Sequence, residues 1–561
     1  MPDFKDIRYE RPDLGTISRS IMDLRLRLMT AKDVDQASDI LMEYEKLIIA
    51  FNTQYELCNV LHDLDTSDEF YINELEFFDT ASAELSELSS AMLTVMVNCP
   101  CAEALKQKYG EMIFRKAENL KQTVSPEVID DYAVESSLQN DYMQIKSEAK
   151  IPFEGKECNL SELAVYLEST GRNTRKAAHK ALDDYYMGQK DNFDKIFDDM
   201  VRVRTTIAKK LGYGSYTELG YKIMERYDYT PKDVAVFRDA ILKYIVPLTV
   251  QIRKLQQERL GVDELMFYDL PTMFLNGNPT PIIPGISLGD VAGEFFAKIF
   301  GNRPSFLEVL SEHGFTDLIS RKNKSTGGYC MFLDGYKIPF IFMNANGTSD
   351  DVSTIVHEGG HAYAAVQSAD VSMFSECLAP TLETCEIHST AMEFMSYPFM
   401  EMFYGEKAEQ YRELHMTQAL LFLPYGCMVD EFQHIIYDNP DLSPEERHDI
   451  WSVLEKRYQP YINYDESHVF HKAGGAWMKK DHIFTSPFYY IDYCLAHICA
   501  LQLWNLSRED MKTALIKYNK LCSLGGTDTF LNLLKKSELE SPFDVGVIKQ
   551  VAYSCADYLN L

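Results

Sequence analysis

The chain has 561 residues, with 55 Lys and Arg against 85 Asp and Glu, for a formal charge of −30 at pH 7. That length can bury a large core as one body or as two lobes, and that charge repels phosphate backbones and anionic lipid surfaces, so neither nucleic acid nor membrane is an expected partner. Met1 to Asp13 lacks the basic patch and apolar run of a signal peptide, no apolar stretch reaches the roughly 20 residues of a membrane helix, and twelve cysteines lie scattered without the density of a secreted disulfide scaffold, which together predict a soluble protein of the reducing cytoplasm.

The first predicted elements are amphipathic helices. Ile40, Leu41, Tyr44, Leu47, Ile48 and Phe51 recur on one face at helical spacing. Further helices are predicted across Glu84 to Val97 and across the charged run from Asn173 to Leu211. Turn signals separate them at Asn98-Cys99-Pro100 and at Ile151-Pro152-Phe153-Glu154-Gly155, and a lobe boundary is placed near residues 150 to 165. Cys99 and Cys101 have no second pair at zinc-finger spacing and read as structural thiols. From Asp269 to Gly289, Pro271, Pro279, Pro281 and Pro284 each remove a backbone donor and fix φ, which predicts an ordered loop or a crossover between lobes.

The next segment changes period. Tyr329 to Leu333 and Tyr336 to Met343 favour strand and flank Asp334-Gly335, a dipeptide suited to a tight hairpin turn. Pro339 cannot donate to a ladder, so its arm is placed at the sheet edge, where an extended peptide could pair along Phe342, Asn344 and Asn346.

Thr348 to Asp351 then supplies helix-starting residues, and a helix over 350–366 carries His357-Glu358-Gly359-Gly360-His361. Histidines four apart leave the same side of a helix and can converge on one ion, while Glu358 reaches the ion's bound water. Gly359 and Gly360 each cost a helix interior about 1 kcal/mol relative to alanine, so either the hairpin or a substrate approaches closely there, or the helix tolerates them. A catalytic zinc needs a third protein ligand and an open position. Glu383, Glu386 and Glu393 are the candidates, on a second helix over 381–396 that opens near Pro380, and spacing alone does not choose among them.

These residues resemble the thimet oligopeptidase and oligoendopeptidase F family of zinc metallopeptidases. In that family a glutamate ligand lies 25 residues beyond the second histidine, with another glutamate seven residues later; that register gives Glu386 and then Glu393. The resemblance extends through Tyr9-Glu10-Arg11-Pro12-Asp13, Leu211-Gly212-Tyr213, Arg457-Tyr458 and Pro487-Phe488-Tyr489-Tyr490-Ile491-Asp492-Tyr493. Chain size and Cys385-Glu386-Ile387-His388-Ser389 are similar to bacterial oligoendopeptidases of the Pz-peptidase type. The resemblance implies a mainly α, ellipsoidal, two-lobed molecule with a deep central channel and a small β-sheet beside the zinc site. An N-terminal helical lobe would cover residues 1–165 and a catalytic region 166–561. One zinc ion per chain would be held by His357, His361 and Glu386, with Glu393 behind them and Glu358 as acid and base. His482, Tyr490 and Tyr493, in a Tyr-rich segment over 482–497, would donate to the oxyanion, with Tyr489 contacting substrate.

The implied function is zinc-dependent hydrolysis of internal bonds in short peptides. One alternative is a helical-channel zinc exopeptidase such as a carboxypeptidase, which needs a group that captures a terminus. Another is a non-catalytic peptide-binding protein that keeps the fold, against which the intact Glu358 stands. A third is a structural zinc site closed by Cys377 or Cys385.

Overall fold

Helices begin where the sequence provides side-chain caps. Asp13 accepts the Thr16 N–H and opens Leu14–Met29; Asp33 accepts the Gln36 N–H and opens Val34–Leu64. Reciprocal capping boxes, Asn159 with Glu162, Ser305 with Glu308 and Ser443 with Glu446, open three more. The computed structural model describes residues 1–561 and is mainly helical. Val34–Leu64 buries Ile40, Leu41, Tyr44, Ile48 and Phe51 of the stripe read from the sequence and leaves Leu47 half-buried. The predicted run from Glu84 to Val97 lies within the helix Glu69–Asn98, and the run from Asn173 to Leu211 ends one residue beyond the helix Arg172–Lys210. No α-helix forms between Leu260 and Leu288, where the prolines cluster. No single helix is long and apolar enough to cross a membrane.

Five short strands complete the chain: β1 (Ile151–Phe153), β2 (Lys156–Cys158), β3 (Thr316–Ile319), β4 (Tyr329–Leu333) and β5 (Ile338–Ala345). β1 and β2 form a small hairpin turned by Glu154 and Gly155, both at positive φ, where the sequence signalled only a turn. The second sheet has the order β3-β5-β4, with β3 parallel and β4 antiparallel to β5.

That order corrects two expectations. β5, the arm containing Pro339, is the central strand, and β4 is an edge. Proline fits there because of direction. The Ile341 N–H points toward β3's side, donating to the Phe315 carbonyl at 3.0 Å. Strand groups alternate, so position 339 faces the same side, beyond the β3 ladder, which begins at Thr316↔Ile341. No ladder bond is lost. The turn also differs: it spans residues 334–337 between Leu333 and Ile338, with Lys337 at φ 54. Gly335 serves close approach instead, since a Cβ there would stand 2.7 Å from Thr53 Oγ1.

The chain packs as two compact units, each assembled from three stretches. Met1–Gln122, Thr280–Ala408 and Cys499–Ser541 form the first; Thr123–Pro279, Glu409–Ile498 and Pro542–Leu561 form the second. This partition follows packing, and the boundary placed at residue 165 falls inside the second unit. The His357 helix and the three-stranded sheet belong to the first unit, and the Tyr-rich segment up to Ile498 to the second.

Candidate active site

The metal helix runs Asp350–Ser368 and packs against β4 and β5. Its start is fixed by Asp351, whose carboxylate accepts the Asn346 N–H at 3.0 and 3.1 Å and the Gly347 N–H at 2.6 Å. The ligand helix runs Leu382–Met395. Gly360 sets the distance between the two helices: a Cβ there would lie 2.6 Å from the His388 carbonyl oxygen and 2.9 Å from Ser389 Cα. A Cβ on Gly359 would overlap the Phe296 ring. The glycines therefore admit the ligand helix and Phe296, where the sequence reading had the hairpin or a substrate approaching.

This contact brings the ligand atoms of His357, His361 and Glu386 within 4.8 Å of one another. Glu386 Oε2 lies 3.4 Å from His357 Nε2 and 3.8 Å from His361 Nε2. Such separations suit one cation bonded at about 2.0–2.2 Å to each atom. His357 Nδ1–H donates to Glu393 Oε1 at 2.7 Å, which leaves Nε2 free for an ion. Ser389 Oγ donates to Glu386 Oε2 at 3.1 Å and fixes the carboxylate. Glu383, the remaining candidate, is buried and outside the ligand group.

The electrostatics favour positive charge at this point. Burial lowers the His357 pKa, but hydrogen bonds and charge from Glu386 and Glu393 overcome it and raise the value well above the ordinary one. The same carboxylates would hold any cation seated between them. His361 is pushed down to about 4 by burial and by His357. Burial lifts Glu358 to about 7, with His357 opposing and Glu386 and Glu393 reinforcing the rise.

Phe342, Asn344 and Asn346 are engaged within the first unit. Phe342 is fully buried and stacks on Tyr329 with centroids 4.9 Å apart. Asn344 Nδ2 donates to the Ser325 and Gly327 carbonyls at 2.7 and 3.0 Å, and Asn346 supplies its N–H to Asp351.

In the second unit His482 lies 5.6, 4.9 and 5.9 Å, centroid to centroid, from Tyr489, Tyr490 and Tyr493. A chain reversal at Phe488, with φ 68, presents this group. The Phe488 carbonyl accepts from Arg226 Nη2 at 2.6 Å, and its N–H donates to Gln433 Oε1 at 2.9 Å. Arg226 also forms a buried ion pair with Asp492 at 2.7 Å. Gly220 leaves room for Phe488, since a Cβ there would stand 2.5 Å from the ring. Tyr490 is 7% exposed, and its hydroxyl accepts from Lys480 Nζ at 3.1 Å.

Sequence reasoning missed Ser389, Lys480 and the edge position of β4. Ser389 had a usable signal, three residues after Glu386 on one helix. Lys480 had none beyond proximity to His482.

Comparison with known proteins agrees with this construction. Residues 165–553 match peptidase family M3, and residues 4–124 match the peptidase M3 N-terminal domain. The solved structure of Pz peptidase A with an inhibitor is 38% identical, with a TM-score of 0.94 over 99% of both chains. Oligopeptidase PepF of Bacillus subtilis (strain 168) is 23% identical over 385 residues, 67% of this chain and 55% of its own length. Group B oligopeptidase PepB of Streptococcus agalactiae serotype III (strain NEM316) is 22% identical over 423 residues, 70% of this chain and 62% of its own length. The matches thus span a little over half the length of these curated relatives. With the helices that carry His357, His361 and Glu386 inside the longer matched segment, the chain belongs to peptidase family M3.

Proposed function

We propose that this chain is a zinc-dependent endopeptidase that cuts internal bonds of short peptides, with one zinc ion per chain. The observation that carries the proposal is the meeting of His357, His361 and Glu386 at one point, with Glu358 on the same helix and Glu393 behind His357. Two imidazoles and one carboxylate are the donor set of a catalytic zinc, whereas structural zinc is closed by four ligands, often cysteine. The Cys385 thiol is turned away to the Pro380 carbonyl at 3.5 Å. The oligopeptidase names of PepF and PepB and the Pz peptidase structure support peptide substrates.

Zinc held there supplies Lewis acidity to a peptide carbonyl and lowers the pKa of a water. The chain supplies the proton work. Glu358 takes a proton from the attacking water and returns it to the leaving amine. His482, Tyr490 and Tyr493 donate to the carbonyl oxygen as it gains charge, and Tyr489 contacts substrate, roles carried over from the family resemblance. The Lys480 bond supports this for Tyr490, because a phenol oxygen that accepts from an ammonium keeps its own proton for another acceptor.

Peptide pairing moves from β5 to the edge strand β4. Phe342 turns its N–H toward β4, opposite to Ile341, so Tyr329↔Phe342 is a hydrogen-bonded pair and Cys330 and Phe332 turn their backbone groups outward. A reducing, cytoplasmic setting, without nucleic acid or membrane partners, belongs to the same reading; the acidic net charge and ten buried free thiols support it.

The test uses a peptide blocked at both ends and read by mass spectrometry with zinc-loaded, chelated and zinc-restored enzyme. Internal cleavage that vanishes on chelation and returns with zinc is expected. Cleavage only after one end is unblocked indicates an exopeptidase, and binding without cleavage indicates a peptide-binding protein.

A further inference from the structure

Lys480 is an ammonium group without an ion-pair partner in a chain of net charge −30. The adjacent Asp481 is occupied: it pairs with Lys146 and accepts the Tyr142 hydroxyl at 2.8 Å. Lys480 Nζ has one hydrogen-bond acceptor, the Tyr490 hydroxyl, and stands 4.4 Å over the Tyr490 ring and 5.8 Å over the Tyr425 ring. Its neighbour Lys479 likewise meets a neutral group, His471 Nε2 at 3.1 Å. Burial lowers the pKa of both lysines, with Lys146 adding to the effect and Asp481 opposing it at Lys480. Lys479 has the charges of Asp183 and Glu455 nearby, whereas Lys480 feels only Asp481, a carboxylate already paired with Lys146.

An ammonium has three donors, and aromatic faces replace only part of the water it loses on burial. An entering anion would gain a charge-assisted bond without displacing a resident carboxylate. The surroundings suit a peptide. His482, Tyr489 and Tyr493 are partly exposed beside Tyr490, and Phe422, also partly exposed, lies 5.5 Å from the Tyr490 ring. Together they form an aromatic surface with one cation at its margin.

We propose that Lys480 binds a carboxylate of the bound peptide, either the C-terminal carboxylate or an acidic side chain, and so selects among substrates. The proposal rests on the peptidase reading above. It is tested with internally quenched peptides of one sequence in two matched pairs: free acid against C-terminal amide, and Glu against Gln near the C-terminus of the amide. In the wild type, carboxylate-bearing members of one pair or both are expected to show about tenfold lower KM at similar kcat. K480M is expected to shrink that ratio to within about twofold, and K480R to keep most of it. The pair that responds identifies the source of the carboxylate. A wild-type ratio near one in both pairs, an unchanged ratio in K480M, or an equal loss on all four peptides overturns the proposal. Should circular dichroism show that K480M does not fold, K480Q is read the same way. Failure of zinc-loaded wild type to cut any of the four peptides speaks against the peptidase reading instead.

Discussion

In the first unit the candidate metal ligands come from two helices in direct contact, Asp350–Ser368 and Leu382–Met395, with Gly360 giving the second helix its place. In the second, His482 and the tyrosines gather beside a chain reversal held by Arg226, Gln433 and Asp492. The metal centre is thus set by helix periodicity and close packing, so small changes in shape should act on metal binding. The tyrosine group is set by buried polar bonds between residues far apart in sequence, so loss of one partner should act on stability. A buried ion pair stripped of one member leaves an uncompensated charge, whereas a misfitted helix contact strains a joint that can partly relax.

The largest expected effect tests the second region. Arg226→Met removes the guanidinium that pairs with buried Asp492 and donates to the Phe488 carbonyl, and should lower stability by about 3–5 kcal/mol in urea unfolding. Zinc content measured under folding conditions should stay near that of the wild type. A drop in zinc with little change in stability would reverse the contrast between the two regions.

The next effects fall on the metal centre. Glu393→Gln keeps the size of the side chain but weakens its hold on His357 Nδ1–H, and should weaken zinc binding by about 10–100-fold in chelator competition. Gly360→Ala gains helix propensity but drives a Cβ against the His388 carbonyl, for a net destabilisation of about 1–3 kcal/mol with weakened zinc binding. Gly188, inside Arg172–Lys210 with nothing within 4 Å of a Cβ, is the matched control: Gly188→Ala should stabilise by about 0.5–1 kcal/mol. If both alanines stabilise, close approach is not why Gly360 is there.

Much of the metal centre is visible in the sequence because it is local. The predicted spans 350–366 and 381–396 lie within two residues of the helices Asp350–Ser368 and Leu382–Met395, since caps and periodicity act over a few residues. The choice of Glu386 came from the family register instead, because three glutamates on one helix are equivalent by spacing. Strand order was not legible. Pro339 signals a missing donor, but the side it faces depends on β3, a four-residue strand with little apolar alternation. Asp334-Gly335 looked like a turn dipeptide, yet its glycine answers to Thr53, more than 280 positions away. The chain reversal beside the tyrosine group depends on Gly220 and Arg226, which no periodic pattern connects to residues 488–492.

An effect of pH lies in the first unit, away from its metal centre. Burial and the Glu376 charge push Glu45 up to about 8, and burial and the Asp334 charge push Glu56 up to about 9. Each carboxyl keeps in the folded state a proton that the unfolded chain releases near 4.5. Stability from these groups is full below that value, falls as pH rises, and levels off above about 8 for Glu45 and about 9 for Glu56. Urea unfolding between pH 6 and 9 should show the decline, and Glu45→Gln with Glu56→Gln should flatten it.

The most direct measurement takes zinc content and turnover of a doubly blocked peptide on the same samples of wild type and Glu358→Gln. Both proteins should carry one zinc ion per chain, and the variant should lose about 10²–10⁴-fold in kcat. A variant that keeps its zinc and cuts the peptide at the wild-type rate would contradict the assignment of Glu358 and the centre built around it.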